Sequence, residues 1–122
     1  MGLFRMLDIK SSDIILNTIM SISSIVRGGL DTTDISKPHP HYETIEQCNG
    51  LTKIFQVFRQ SKDKNTKDMA AICFGRIHRQ RLIKDVNQKV EIIQYLKSIM
   101  CDPDDWTKGE SINALSFLAL NS

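Results

Sequence analysis

Apolar residues return every three or four positions along most of the chain, the spacing that gives a helix one buried stripe. The first stripe runs through Ile15, Thr18/Ile19, Ile22 and Ile25/Val26, behind Ser11, Ser12 and Asp13, which suit an N-cap. Gly28-Gly29 predicts its C-terminal end. Residues 28–42 are polar and hold Pro38-His39-Pro40-His41, whose alternating prolines predict an extended loop. Thr44-Ile45-Glu46-Gln47 reads as a capping box, after which Gly50 interrupts. Leu51, Ile54, Phe55 and Phe58 then form a second stripe, closed by a polar break from Ser61 to Lys64. A third holds Ala70, Ala71, Cys73, Phe74 and Ile77 and ends in the basic run from Arg76 to Lys84. A fourth holds Val86, Val90, Ile93, Leu96 and Ile99/Met100, and Pro103 stops it among Asp102, Asp104 and Asp105. Those aspartates predict caps for the helix that follows, and Thr107-Lys108-Gly109-Glu110 reads as a second capping box. The last stripe is Ile112, Ala114, Leu115, Leu118 and Ala119. No segment predicts a strand.

The chain also aligns with itself, without gaps, at an offset of 41 residues. Leu51 falls on Ile92, Ile54 on Tyr95, Phe55 on Leu96 and Phe58 on Ile99. Asp63 falls on Asp104, Thr66-Lys67 on Thr107-Lys108, Ala70 on Ser111, Phe74 on Leu115, Ile77 on Leu118 and, upstream, Ile45 on Val86. Identities are few, yet large, small and polar classes agree, as they do when a repeat keeps only its packing. One such unit cannot close a core alone, so each buries its stripe against the next.

The unit resembles an armadillo repeat. Gly50-Leu51-Thr52-Lys53-Ile54-Phe55-Gln56-Val57-Phe58 is similar to the second-helix pattern of that family. Ala70-Ala71-Ile72-Cys73-Phe74-Gly75-Arg76-Ile77 and Ser111-Ile112-Asn113-Ala114-Leu115-Ser116-Phe117-Leu118 are similar to its third-helix pattern. A partial first copy, Thr18-Ile19-Met20-Ser21-Ile22-Ser23-Ser24-Ile25, stands 52 residues ahead of the second, which fits an insertion in the 28–42 loop. A HEAT repeat of similar length gives the same pattern, so the subtype stays open. The resemblance implies an all-α fold, a short right-handed α-α superhelix of the armadillo-type solenoid. It would form one domain over 1–122: a partial repeat at 1–27, the loop at 28–42, and repeats at 43–81 and 82–122.

Composition narrows the picture. Hydrophobic residues at 41% and charged residues at 25% of 122 positions are ordinary for one globular domain. No apolar run is long enough to span a bilayer. The first apolar stretch contains Asn17 behind Asp8 and Asp13, a poor signal peptide, and Met6 stands where a myristoylation motif needs Ser or Thr. Three cysteines in no zinc-finger spacing argue for a reducing compartment. The setting expected is therefore intracellular, cytoplasmic or nuclear, and the armadillo resemblance makes it eukaryotic. The net charge of +2 hides a division: residues 1–51 are net −2, 52–89 net +7 and 90–122 net −3. A solvated helical face accounts for the basic middle without any ligand.

In armadillo proteins the third helices line a groove for extended peptides, and the resemblance places Ser24, Arg76 and Phe117 at the family's groove asparagine. It places Met20, Ile72 and Asn113 at the groove tryptophan of nuclear-import adaptors. Neither residue type is present, and Arg76 would repel a basic peptide. Arg76 with Arg79 suits an acidic or phosphorylated segment, although Arg79, Arg81 and Lys84 also offset a helix C-terminal dipole. The expected function is thus a non-enzymatic protein–protein interaction or scaffold module, with Ser24, Ile72, Arg76, Arg79, Asn113 and Phe117 as partner-binding residues. The alternative is nucleic-acid or polyanion binding by the basic middle, through phosphate contacts. His39 and His41 are too few for a metal site, and His78 is too distant in sequence to join them by pattern. Cys73 reads as a core residue, Cys48 and Cys101 lack the partners of a nucleophile, and Trp106 reads as a packing residue. No phosphate loop, nucleophile elbow or paired-carboxylate pattern is present, so no enzyme, cofactor or metal is expected. The last helix, ending Phe117-Leu118-Ala119-Leu120-Asn121-Ser122, lacks a capping repeat's polar outer face, which points to stacking on another copy, on a partner, or on further repeats beyond this chain.

Overall fold

The computed structural model describes residues 12–31, 42–47, 49–78 and 85–119. Among the described residues it is all-helical, without strands, and its helices pack on one another. They are α1 (Ser12–Asp31), α2 (Tyr42–Gln47), α3 (Gly50–Gln60), α4 (Lys64–Ile77), α5 (Val86–Ile99) and α6 (Asp105–Ala119). The expected extended loop lies mostly outside the described residues.

Helix α4 is the centre, in contact with α1, α3, α5 and α6. Residues 70–78 are buried on every side, which explains why this stretch shows only a weak apolar-polar division. α3 sets Ile54, Phe55 and Phe58 against Ala70, Phe74 and Ile77, and the Phe55 and Phe74 rings tilt at a centroid distance of 5.6 Å. α1 contributes Ile19, Ile22 and Val26 to the same core, and the second hairpin contributes Ile92, Leu96, Ile99, Ala114 and Leu118. α1, α4 and α6 form a row, with α1 and α6 both packed on α4. Gly75 lets α4 and α6 approach closely, because a Cβ there would lie 3.1 Å from Ala114 Cβ.

Caps recur at the offset seen in the sequence. Asp63 accepts from the Thr66 amide at 3.0 Å and the Thr66 hydroxyl at 2.7 Å. Asp104 accepts from the Thr107 amide at 2.9 Å and the Thr107 hydroxyl at 2.8 Å. These bonds satisfy first-turn donors and hold both aspartates below the usual carboxylate range.

Three local expectations are corrected. Gly28-Gly29 does not end α1, which runs to Asp31 with no glycine at positive φ, because its buried stripe continues through Val26 to Gly29. Thr44 and Thr107 lie inside α2 and α6, so neither opens a capping box; for α6 that role falls to Asp104. The break before α3 is at Asn49, not Gly50: Asn49 takes the left-handed conformation at φ 60°. Its counterpart 41 residues on is Val90, inside the continuous α5. A β-branched residue resists left-handed backbone, so the second copy of the segment stays one helix where the first splits.

Candidate functional site

Among the described residues, the expected partner-binding residues do not all lie on an exposed surface. Arg76 and Ile72, expected to meet a partner, are buried, at 5% and 1% exposure. The reason is the central place of α4 in the row: the side chain that a third-helix groove would present is covered. Arg76 instead forms a buried ion pair with Glu110 of α6, and Arg27 of α1 approaches the other Glu110 oxygen at 3.6 Å. One carboxylate thus ties α1, α4 and α6 together. Ser24 on α1 and Asn113 on α6 are exposed. Arg79 lies outside the described residues, as do Arg81, Lys84, His39, His41, Cys48 and the side chain of Phe117.

Sequence reading missed Glu110 by placing it in a capping box. Its 41-residue counterpart, Met69, carried the signal: a carboxylate at a position that is apolar in the other copy needs a buried cation. The second polar cluster was missed too. Lys64 reaches Asp68 at 2.6 Å and Asp102 at 2.7 Å, while the Tyr95 hydroxyl donates to Asp68. Asp102 and Asp68 hold the Lys64 ammonium above its usual value. Burial, with Asp68 second, raises the Tyr95 phenol above its own. This cluster joins the start of α4 to α5 and the turn after it.

Beside that cluster lies an open cleft of about 350 Å³ between α3 and α5, lined by Phe58, Arg59, Lys67, Glu91, Gln94 and Tyr95. Lys67 Nζ sits 5.1 Å from the Phe58 ring centre and 5.5 Å from that of Tyr95. Arg59 faces Glu91 at 3.6 Å across it. With Lys64 and Arg76 both engaged by carboxylates, two of the cations counted in the basic middle are neutralised locally.

His78 and Cys73 belong to the core. The His78 Nδ1–H donates to the Phe74 carbonyl at 2.7 Å, and the ring packs edge-on against Tyr42. Burial keeps its imidazole below the usual histidine value. Burial likewise pushes the Cys73 thiol up to about 12, which leaves it protonated and unreactive. Among the described residues no group of His, Cys, Asp and Glu is placed to hold a metal ion. Trp106, expected to pack, is 45% exposed.

Most of the exposed large hydrophobics among the described residues are on the last hairpin. Val86, Val90, Met100, Trp106 and Ile112 are exposed there, and the only other exposed large hydrophobics among the described residues are Met20 and Ile25 of α1. Val86, Val90 and Ile93 share one face of α5, opposite the Tyr95 and Glu91 that meet α3. Ile112 and Ser116 share the face of α6 turned away from Ala114 and hence from α4. Of the 41-residue counterparts of these exposed hydrophobics, Asn49, Arg59 and Asn65 are polar and exposed, while those of Val86 and Ile112 are covered. Ile45 is 2% exposed where Val86 is 69%, and Ala71 is 0% where Ile112 is 43%.

These features define an all-helical protein of packed hairpins. No protein-family model, no curated protein and no solved structure matches the chain. Among the described residues no helix is long and apolar enough to cross a membrane.

Proposed function

We propose that this chain is a short armadillo-type solenoid, a right-handed α-α superhelix, acting as a non-enzymatic interaction module. Its partner seats on the outer face of α5 and α6. The observation that carries this reading is a contrast between the two 41-residue copies: two positions buried in the first, Ile45 on α2 and Ala71 on α4, are exposed and apolar in the second, at Val86 and Ile112. A stacked unit covers such a face with the next unit, and a face left open in a repeat array invites the same kind of contact. The caps at Asp63 and Asp104 and the α1–α4–α6 row support the repeat reading.

The test places a photo-crosslinking residue at position 90 and, separately, at exposed Lys62, in cells of the source organism. A protein captured from position 90 and not from 62, and lost in the Ile112→Lys variant, supports the reading. Capture that is equal from both positions, or absent from both, overturns it. Salt-sensitive retention on a polyanion resin, lost in a Lys53→Glu/Lys62→Glu variant and kept in Ile112→Lys, favours nucleic-acid binding instead.

A further inference from the structure

Exposed large hydrophobics occur at the two ends of the α1–α4–α6 row, on α1 and on the last hairpin, and none on the α3–α4 hairpin between them. At the α1 end, Asn17, Ser21, Ser24 and Gly28 form a stripe of helical spacing turned away from Ile19, Ile22 and Val26. Met20 and Ile25 flank it, at 49% and 38% exposure. The serines there have already spent their donors. Ser21 Oγ donates to the Asn17 carbonyl at 3.1 Å and Ser24 Oγ to the Met20 carbonyl at 3.2 Å. Ser116 on the outer face of α6 does the same to Asn113 at 2.8 Å. Hydroxyls bonded back to their own helix lose little when water leaves, so both faces dehydrate at low cost.

The two faces also fit by size. Small residues on α1 admit close approach, as Gly75 does on α4, and the last hairpin offers the branched side chains of Val86, Val90 and Ile112. Within the chain α4 already sits between α1 and α6, so a second α1 laid on α6 continues an existing row rather than requiring a new kind of contact.

We propose that copies of this chain stack head to tail, the α5–α6 face of one (Val86, Val90, Ile112) seating on the free face of α1 (Met20, Ser24, Ile25) of the next. The inference rests on the reading that the α5–α6 face is an interaction surface, and it names the occupant. The contact is heterologous: each copy keeps one free face of each kind, so assembly continues past the dimer into a row or a ring.

The experiment is sedimentation of the purified full chain over a concentration series up to about 100 µM. It is repeated with Ile112→Arg, with Ser24→Arg, and with the two variants mixed in equal amounts. Both positions are exposed, and circular dichroism checks that each variant is folded; Ile112→Gln and Ser24→Gln replace any that is not. The expected result is a mass that grows beyond dimer for the natural chain and a loss of affinity of roughly tenfold or more in each variant alone. The mixture forms a one-to-one dimer and nothing larger, because each variant retains the face the other lacks. A dimer that survives Ser24→Arg and is lost in Ile112→Arg overturns the proposal in favour of a symmetric α5–α6 contact. A natural chain that stays monomeric throughout also overturns it. If position 90 still captures a different protein in that case, the interaction reading stands and the head-to-tail assembly alone fails.

Discussion

Glycine 75 gives the sharpest test of how α4 and α6 meet. An added Cβ finds nothing within 4 Å at Gly28 on α1 or Gly109 on α6. At those two, alanine removes unfolded-state freedom and adds helix propensity, about 1 kcal/mol at Gly109 and roughly half that at Gly28 in the last turn. At Gly75 the same gain applies, but the new methyl lies 3.1 Å from Ala114 Cβ, 3.5 Å from Leu96 Cδ1 and 3.6 Å from Leu118 Cδ1. The leucine tips can move aside. A Cβ cannot, so the relief needs α6 to shift as a body. Overpacking of that kind costs about 1–3 kcal/mol, which cancels or exceeds the propensity gain. Gly75→Ala is therefore expected to be neutral to about 2 kcal/mol destabilising, and Gly75→Val to cost about 3 kcal/mol or more. Urea unfolding followed by helical circular dichroism reads all four variants, with an unchanged slope confirming that only stability moved. A Gly75→Ala chain as stabilised as Gly109→Ala would refute the close approach of α4 and α6.

Three further outcomes follow from the same geometry. Removing one partner of the buried Arg76–Glu110 pair by Arg76→Met should cost about 3 kcal/mol, while the double change Arg76→Met/Glu110→Leu should recover most of it; denaturant titration of the cycle checks both. Thr66→Val and Thr107→Val should each cost about 1 kcal/mol in thermal unfolding, equal within a few tenths, because the two hydroxyls make the same bond to Asp63 and Asp104. His78, held below its usual value by burial, is neutral in the folded chain, so the unfolded chain binds its proton more readily. Its contribution is full above the ordinary histidine value of about 6.5 and is lost as pH falls from there through the lower folded value. Unfolding between pH 7 and 5.5 should show this loss in the natural chain, and a His78→Gln chain that keeps the same slope would contradict it.

Much of the fold was legible because helical spacing and cap chemistry are local. Asp104 as a cap and the polar break before Lys64 follow from residues within one turn of each other. The failures have a common form. Gly28-Gly29 and Gly50 carried helix-breaking propensity, yet packing carried α1 through the first pair and Asn49 took the second break. A difference of about 1 kcal/mol per glycine is smaller than what a buried stripe supplies. The burial of Arg76 was not legible for a larger reason: its charge alone suggests exposure, whereas its burial depends on Glu110, 34 positions away.

What the sequence by itself determined is the helical stripes, the 41-residue self-alignment and a capping aspartate among Asp102, Asp104 and Asp105, since each is decided by neighbours within a turn or by a periodic pattern. Which face of each helix is covered belongs to the tertiary structure alone. Val86 and Ile45 occupy the same register and are both aliphatic, yet one is open to solvent and the other buried. Burial is a property of what lies beside a helix, so the surface available to a partner emerges only when the helices are set side by side.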